Sequence, residues 1–142
     1  MRKLVLALAL VAAPALAAQD IVMYRDPGCG CCEKWAVQVR AAFGRNVRIV
    51  DDANRSALEA RLGVPAALSG CHTAIIDGMA FEGHVPIADM RRVLAAKPAG
   101  VRGLAVAGMP LGSPGMEVPG RRAEPYNVVA FGAGRTFVYA RH

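Results

Sequence analysis

The chain has 142 residues, 54% of them hydrophobic and 20% charged, with a formal net charge of +6. That length suits one domain with a real core. The basic excess is scattered arginine without a run of five or six, so it offers no concentrated basic face for nucleic acid and reads as ordinary solubility.

Met1-Arg2-Lys3 precedes an apolar run from Leu4 to Ala13, then Pro14-Ala15-Leu16-Ala17, an A-x-A pattern. A basic start, a short apolar run and small residues before the cut make residues 1–17 a secretory signal, expected to leave residues 18–142. The run falls short of the about 20 residues that span a bilayer, and no later stretch suits membrane insertion. Removal takes Arg2 and Lys3 with no acid, so the formal charge drops from +6 to +4.

Ile21 to Tyr24 reads as a short buried strand, and Asp26-Pro27-Gly28 as a turn into Cys29-Gly30-Cys31-Cys32. From Glu33, the residues Trp35, Val39, Ala42 and Phe43 fall on one helical face, stopped by Gly44. Val47 to Val50 is a second strand. Asp51-Asp52-Ala53-Asn54 is expected to cap a second helix carrying Leu58 and Leu62 and ending at Gly63. Asp77-Gly78 between two apolar runs predicts a hairpin of Thr73–Ile76 with Met79–Phe81. Pro86 suits the first turn of a third helix, with Ile87, Met90 and Leu94 inward and Lys97-Pro98 at its end. Residues 99–125 hold six glycines and four prolines without periodicity and read as a long loop. Tyr126–Phe131 and Thr136–Ala140 are two strands joined through Gly132-Ala133-Gly134.

This gives an α/β chain of order β-α-β-α-β-β-α, with the cysteines between the first strand and first helix. Order and placement resemble the thioredoxin fold over residues 20–98, with residues 99–142 as a loop and hairpin extension of one domain. By that resemblance Cys71-His72-Thr73 stands where a thioredoxin has its proline, with His72 in the proline's place, and Cys71 arrives beside the cysteine loop.

Three cysteines within four residues are hard to explain as packing. The free N–H groups and positive end of a helix favour thiolates at its start. Soft thiolates select Cu(I), Zn(II) or iron–sulfur clusters, and imidazole accepts zinc and copper alike. Structural zinc normally takes two separated ligand pairs, whereas this chain offers a crowded triplet plus Cys71. Copper is therefore preferred over zinc, as Cu(I) and with room for more than one ion. Cys29, Cys31, Cys32 and Cys71 are the candidate thiolates and His72 the accessory ligand; His84, Met109 and Met116 are weaker candidates. The competing readings are plain ones: Cys71 as a small buried hydrophobe, His84 as a structural residue before a helix, the methionines as gap fillers. Met23, Met79, Met90 and Trp35 belong in the core, with Trp35 screening the cluster. His142 can reach a metal only if the last strand docks beside it.

Four ordered motifs then point one way: Asp26-Pro27-Gly28-Cys29-Gly30-Cys31-Cys32, Ser69-Gly70-Cys71-His72-Thr73-Ala74, Glu82-Gly83-His84-Val85-Pro86, and Gly108-Met109-Pro110 through Gly115-Met116-Glu117. Together they resemble the small exported bacterial metal-binding proteins of copper resistance, some called CopG, which are distinct from the DNA-binding repressors of that name. Where Ser-Cys-His-Thr is the familiar form, this chain has Gly70 between Ser69 and Cys71. The resemblance implies a thioredoxin-like fold, a periplasmic setting and copper at the cysteine cluster, for sequestration, transfer or Cu(I)/Cu(II) interconversion. Partners would be copper ions and a copper exporter or oxidase of the same compartment. Two alternatives stand beside it: a thiol–disulfide oxidoreductase using Cys29 and Cys32, and a structural zinc module.

Overall fold

The computed structural model describes residues 19–142, so the expected leader of residues 1–17 lies outside the described residues. β1 (Ile21–Arg25) alternates buried and half-buried positions, as a strand covered on both faces does. It pairs in parallel with β2 (Val47–Asp51) and antiparallel with β3 (His72–Ile76). β3 turns through Asp77-Gly78, both at positive φ, into β4 (Met79–Glu82). β5 (Gly103–Ala105) runs parallel to β4, and the hairpin of β6 (Asn127–Gly132) and β7 (Arg135–Arg141) completes the sheet. Its seven strands run in the order β2-β1-β3-β4-β5-β6-β7.

Among the described residues three α-helices cover the sheet. α1 (Gly30–Phe43) buries Cys32, Trp35, Ala36 and Val39, one stripe at i, i+3, i+4 and i+7. α2 (Ser56–Leu62) ends at Gly63 in the left-handed region, and α3 (Ile87–Ala96) ends at Lys97. Because neighbouring strand residues face opposite ways, the sheet divides its contacts. Phe81, Leu104 and Ala130 join Trp35 and Val39 of α1 and Met90 and Val93 of α3. Ala80, Ala105 and Phe131 instead join Val64, with Leu62 and Leu68 packed against them. The architecture is a mixed α/β sandwich, with α1 and α3 on one face and the α2 segment on the other. Among the described residues no helix is long and apolar enough to cross a membrane.

The structure departs from the sequence reading in four places. α1 begins at Gly30 rather than Glu33, so Cys31 and Cys32 lie in its first turn and Cys29 is the N-cap. Arg55, not the Asp51–Asn54 stretch, stands at the N-cap of α2; the Asp52 carboxylate accepts the Asn54 N–H in the turn before it. Pro86 is the N-cap of α3, one residue ahead of the first turn. Finally, β5 lies inside the segment read as a loop. Three residues are too few to display an alternation, and their strand character comes from the β4 and β6 edges they fill.

Gly103 shows how tightly β5 is held. A Cβ there would sit 1.9 Å from the Ala80 carbonyl oxygen and 2.7 Å from the Phe131 ring. Gly103→Ala is expected to cost about 3 kcal/mol or more, read as a fall in urea midpoint at unchanged m-value.

Candidate metal centre

Two strand ends bring the cysteines together. β1 and β3 pair so that Arg25 lies opposite His72, and just beyond, the Asp26 N–H donates to the Cys71 carbonyl at 3.1 Å. The chain then turns through Gly28, at positive φ, into Cys29, whose sulfur accepts the Cys32 N–H of the opening turn of α1. Cys32, fully buried, comes within 3.3 Å of the Cys71 sulfur. Cys29 and Cys32 are joined as a disulfide, and Cys31 and Cys71 are free thiols. Each disulfide sulfur therefore has a free thiol beside it: Cys31 is 3.4 Å from Cys29, and Cys71 is 3.3 Å from Cys32.

Two imidazoles close the inner end. His84 follows Gly83, whose positive φ and closeness to the Val106 carbonyl leave no room for a side chain. The Nδ1–H of His84 donates to the Pro114 carbonyl at 2.8 Å, which turns the Nε2 lone pair toward the Cys71 sulfur, 3.1 Å away. His72 Nδ1 lies 3.6 Å from the same sulfur. The His72 ring is wedged between Trp35 and His84, with centroids at 4.5 and 5.1 Å. Its Nε2 is buried without any hydrogen-bond partner. Leaving such an atom unpaired costs about 1–3 kcal/mol.

A strap from Gly108 to Glu117 roofs the cluster. Gly115 packs directly on the first turn of α1, where a Cβ would fall 2.7 Å from the Cys31 carbonyl oxygen and 2.9 Å from the Trp35 nitrogen. Glu117 holds it there, accepting from the Gly115 N–H and from the Gln38 amide. The Met109 thioether reaches 3.9 Å from Cys31 while remaining 54% exposed. The soft donors thus form a file from solvent to core: Met109, Cys31, the Cys29–Cys32 pair, Cys71, then His84 and His72.

Two overlapping ligand groups share Cys71. Cys29, Cys31, Cys32 and Cys71 form one, and Cys71, His72 and His84 the other; within each the ligand atoms lie within 4.8 Å of one another. Burial pushes the Cys71 thiol up to about 12, with the nearby Cys31 adding to the rise. Burial likewise drives His72 well below the ordinary imidazole value, helped by His84 and Arg55, and lowers His84 against the opposing pull of the Pro114 carbonyl. Both rings are held neutral, the form that ligates a metal. A bound cation would also favour the Cys71 thiolate that burial alone resists.

The sequence reading therefore meets the structure unevenly. His84, the weaker histidine candidate, makes the shortest contact with Cys71. Met116 takes part through its backbone, in bonds with Ser113 and Gly112 that shape the strap, and its thioether has no hydrogen-bonding contact with the cysteines. His142 is bound elsewhere, to Asp89 and stacked on Tyr126. Trp35 is fully buried and its indole N–H donates to the Val85 carbonyl. Reasoning from sequence missed the Pro114 carbonyl and Gly115, although the motif around Met109 and Met116 marked their segment.

A family model described as a protein of unknown function, DUF411, matches residues 68–116, which hold Cys71, His72, His84 and all of the strap but Glu117. Two solved structures, of copper resistance protein CopG in form 1 and form 2, are similar over most of the chain. Form 1 is 42% identical with a TM-score of 0.78, covering 89% of this chain and 98% of its own. Form 2 is 43% identical with a TM-score of 0.76, covering 87% and 97%. No curated protein sequence matches significantly.

Unfolding returns both imidazoles to an ordinary pKa near 6.5, so below that pH the unfolded chain takes up protons that the folded one refuses. The metal-free protein should keep its full stability above about pH 7 and lose it as the pH falls through 6.5, by at most about 1.4 kcal/mol per pH unit for each ring. Urea unfolding between pH 7 and pH 5 measures this slope, which His72→Phe should flatten.

Proposed function

Because the chain belongs to the family of the copper resistance protein CopG, we propose that it binds copper, held as Cu(I) by the clustered cysteine thiolates, in sequestration, transfer or redox interconversion of the metal. The observation that carries this reading is the convergence of three further cysteine sulfurs and two neutral, buried imidazoles on Cys71. Crowded sulfur suits Cu(I), whereas the Cys71, His72 and His84 end has a borderline donor set that also accepts Cu(II) or Zn(II). A thiolate shared by two ligand groups can bridge two ions or pass one between them. His72 Nδ1 and His84 Nε2, 3.6 and 3.1 Å from the Cys71 sulfur, support an ion at the inner end. Met109, exposed beside Cys31, supports entry at the outer end.

The Cys29–Cys32 disulfide favours a second reading in which the site does redox work. Oxidation of the reduced pair to the disulfide releases two electrons and two protons, enough to convert two Cu(II) ions to Cu(I). The same pair at a helix start could instead serve thiol–disulfide exchange with a substrate protein. The order β-α-β-α-β-β-α, with the cysteine loop after the first strand, supports a thioredoxin-like assignment for residues 20–98. The leader pattern of residues 1–17 and the disulfide support a periplasmic setting. There a copper exporter or oxidase is the natural partner.

Anaerobic titration of the reduced protein with Cu(I) against a chromophoric competitor tests the proposal. Wild type should take up at least one equivalent, and Cys31→Ser should weaken uptake by about tenfold or more, since even the loss of a group that merely supports a ligand costs about that much. Absence of competition, with robust insulin reduction that persists in Cys31→Ser, would return the protein to the oxidoreductases. A colourless, redox-inert protein that holds one zinc ion and unfolds on chelation would make it a zinc module.

A further inference from the structure

Arg55 lies outside both ligand groups, yet every bond of its guanidinium goes to a segment that carries or anchors a cysteine. Its side chain is 6% exposed. Nε donates to the carboxylate of Asp26, in the turn that delivers Cys29. Nη1 reaches Glu59 at 3.0 Å, and Thr73 and Glu82 at 3.3 Å. Nη2 donates to the carbonyl of Gly70, the residue before Cys71. The same short peptide is gripped from its other side. Glu82, fully buried, accepts the Gly70 N–H at 2.7 Å and the Thr73 hydroxyl at 2.5 Å. Glu59 accepts the Ser69 hydroxyl at 2.9 Å. Gly70 itself has no slack, since a Cβ would lie 2.9 Å from Gly83 Cα, one residue before His84.

Burying a guanidinium among carboxylates costs several kcal/mol per ion before pairing, and apolar replacements of such clusters often preserve or improve stability. Stability alone is a poor account of this one. We infer that Arg55, with Glu82 and Glu59, is a positioning clamp that fixes the 69–71 peptide against the Asp26 turn and so holds the Cys71 sulfur in register with Cys32 and His84. The planar guanidinium is suited to this because it addresses Asp26, Glu82 and Gly70 at once in fixed directions; an ammonium cannot. The clamp rests on the copper reading only for its metal readout, and its thiol readout stands independently.

Arg55→Lys, which keeps the charge and loses the fork, tests it. In the metal-free, disulfide-intact protein only Cys31 and Cys71 can be alkylated, and mass spectrometry separates them. Arg55→Lys should raise the Cys71 rate about tenfold, equivalent to ~1.4 kcal/mol, with the Cys31 rate within about twofold of wild type as the internal reference. Val93→Ala, on the buried face of α3, supplies a comparable loss of stability without touching the clamp. The inference fails if folded Arg55→Lys protects Cys71 as wild type does, or if Val93→Ala opens Cys71 equally at matched stability. Should Arg55→Lys not fold, Asp26→Ala severs only the half-exposed arm; it should speed Cys71 alkylation about threefold, and an unchanged rate overturns the clamp. Cu(I) affinity measured on the same variants should fall in step with Cys71 opening. A Cys71 response in a chain that binds no copper would leave the clamp standing and remove the copper reading.

Discussion

The antiparallel register of β1 with β3 is the constraint on which the site depends. It sets Arg25 opposite His72 and lets the Asp26 N–H tie the Cys71 carbonyl just past the paired residues. One step of slippage would turn His72 from the α1 side of the sheet to the other, and carry Cys71 away from Cys32. The register is itself held by what lies on each face. Met23 and Ala74, paired across the two strands, both point into the core beneath α1, so the packing that stabilises the sheet also fixes the sulfur geometry.

From that point outward the site changes character along a single line. At Met109 a thioether stands in solvent; at Cys31 a thiol is half covered; at Cys71 and the two imidazoles water is gone. Polarity, softness and the ease of carrying charge all change with depth. A buried thiol resists ionisation and a buried imidazole resists protonation; a cation beside them would favour the thiolate and would take the imidazoles in the neutral form they already hold. Such a donor arrangement is of the kind in which metal binding and folding are linked. Trp35 and the Gly115 strap keep that inner end dry, one from below through its contact with His72, the other from above on the first turn of α1.

The parts of this arrangement legible in the sequence are those that leave a local imprint. Apolar periodicity marked α1 and α3, Asp77-Gly78 marked a hairpin, and three cysteines in four residues marked the centre. What escaped depends on partners far along the chain. Nothing in Gly103-Leu104-Ala105 announces a strand until β4 and β6 frame it. Arg55 looked like one more surface arginine beside a capping sequence, because its partners at Asp26, Gly70 and Glu82 are between 15 and 29 residues away. His84 looked structural beside Pro86; only the carbonyl of Pro114, 30 residues later, fixes which ring nitrogen faces Cys71.

The candidate ligands are also spread unevenly in time. Cys29 and Cys32 are three residues apart, Cys71 follows 39 residues after Cys32, and Met109 arrives 78 after Cys31. A chain that emerges from its amino end presents the cysteine triplet before either its inner imidazoles or its roof exists. Closing a loop of three residues is entropically cheaper than closing one of 39, so in an oxidising medium the local disulfide is the first bond within reach, and Cys71 meets it already made. A local disulfide closed before Cys71 emerges would spare Cys71 from mispairing, and its two sulfurs would become thiolates only after reduction.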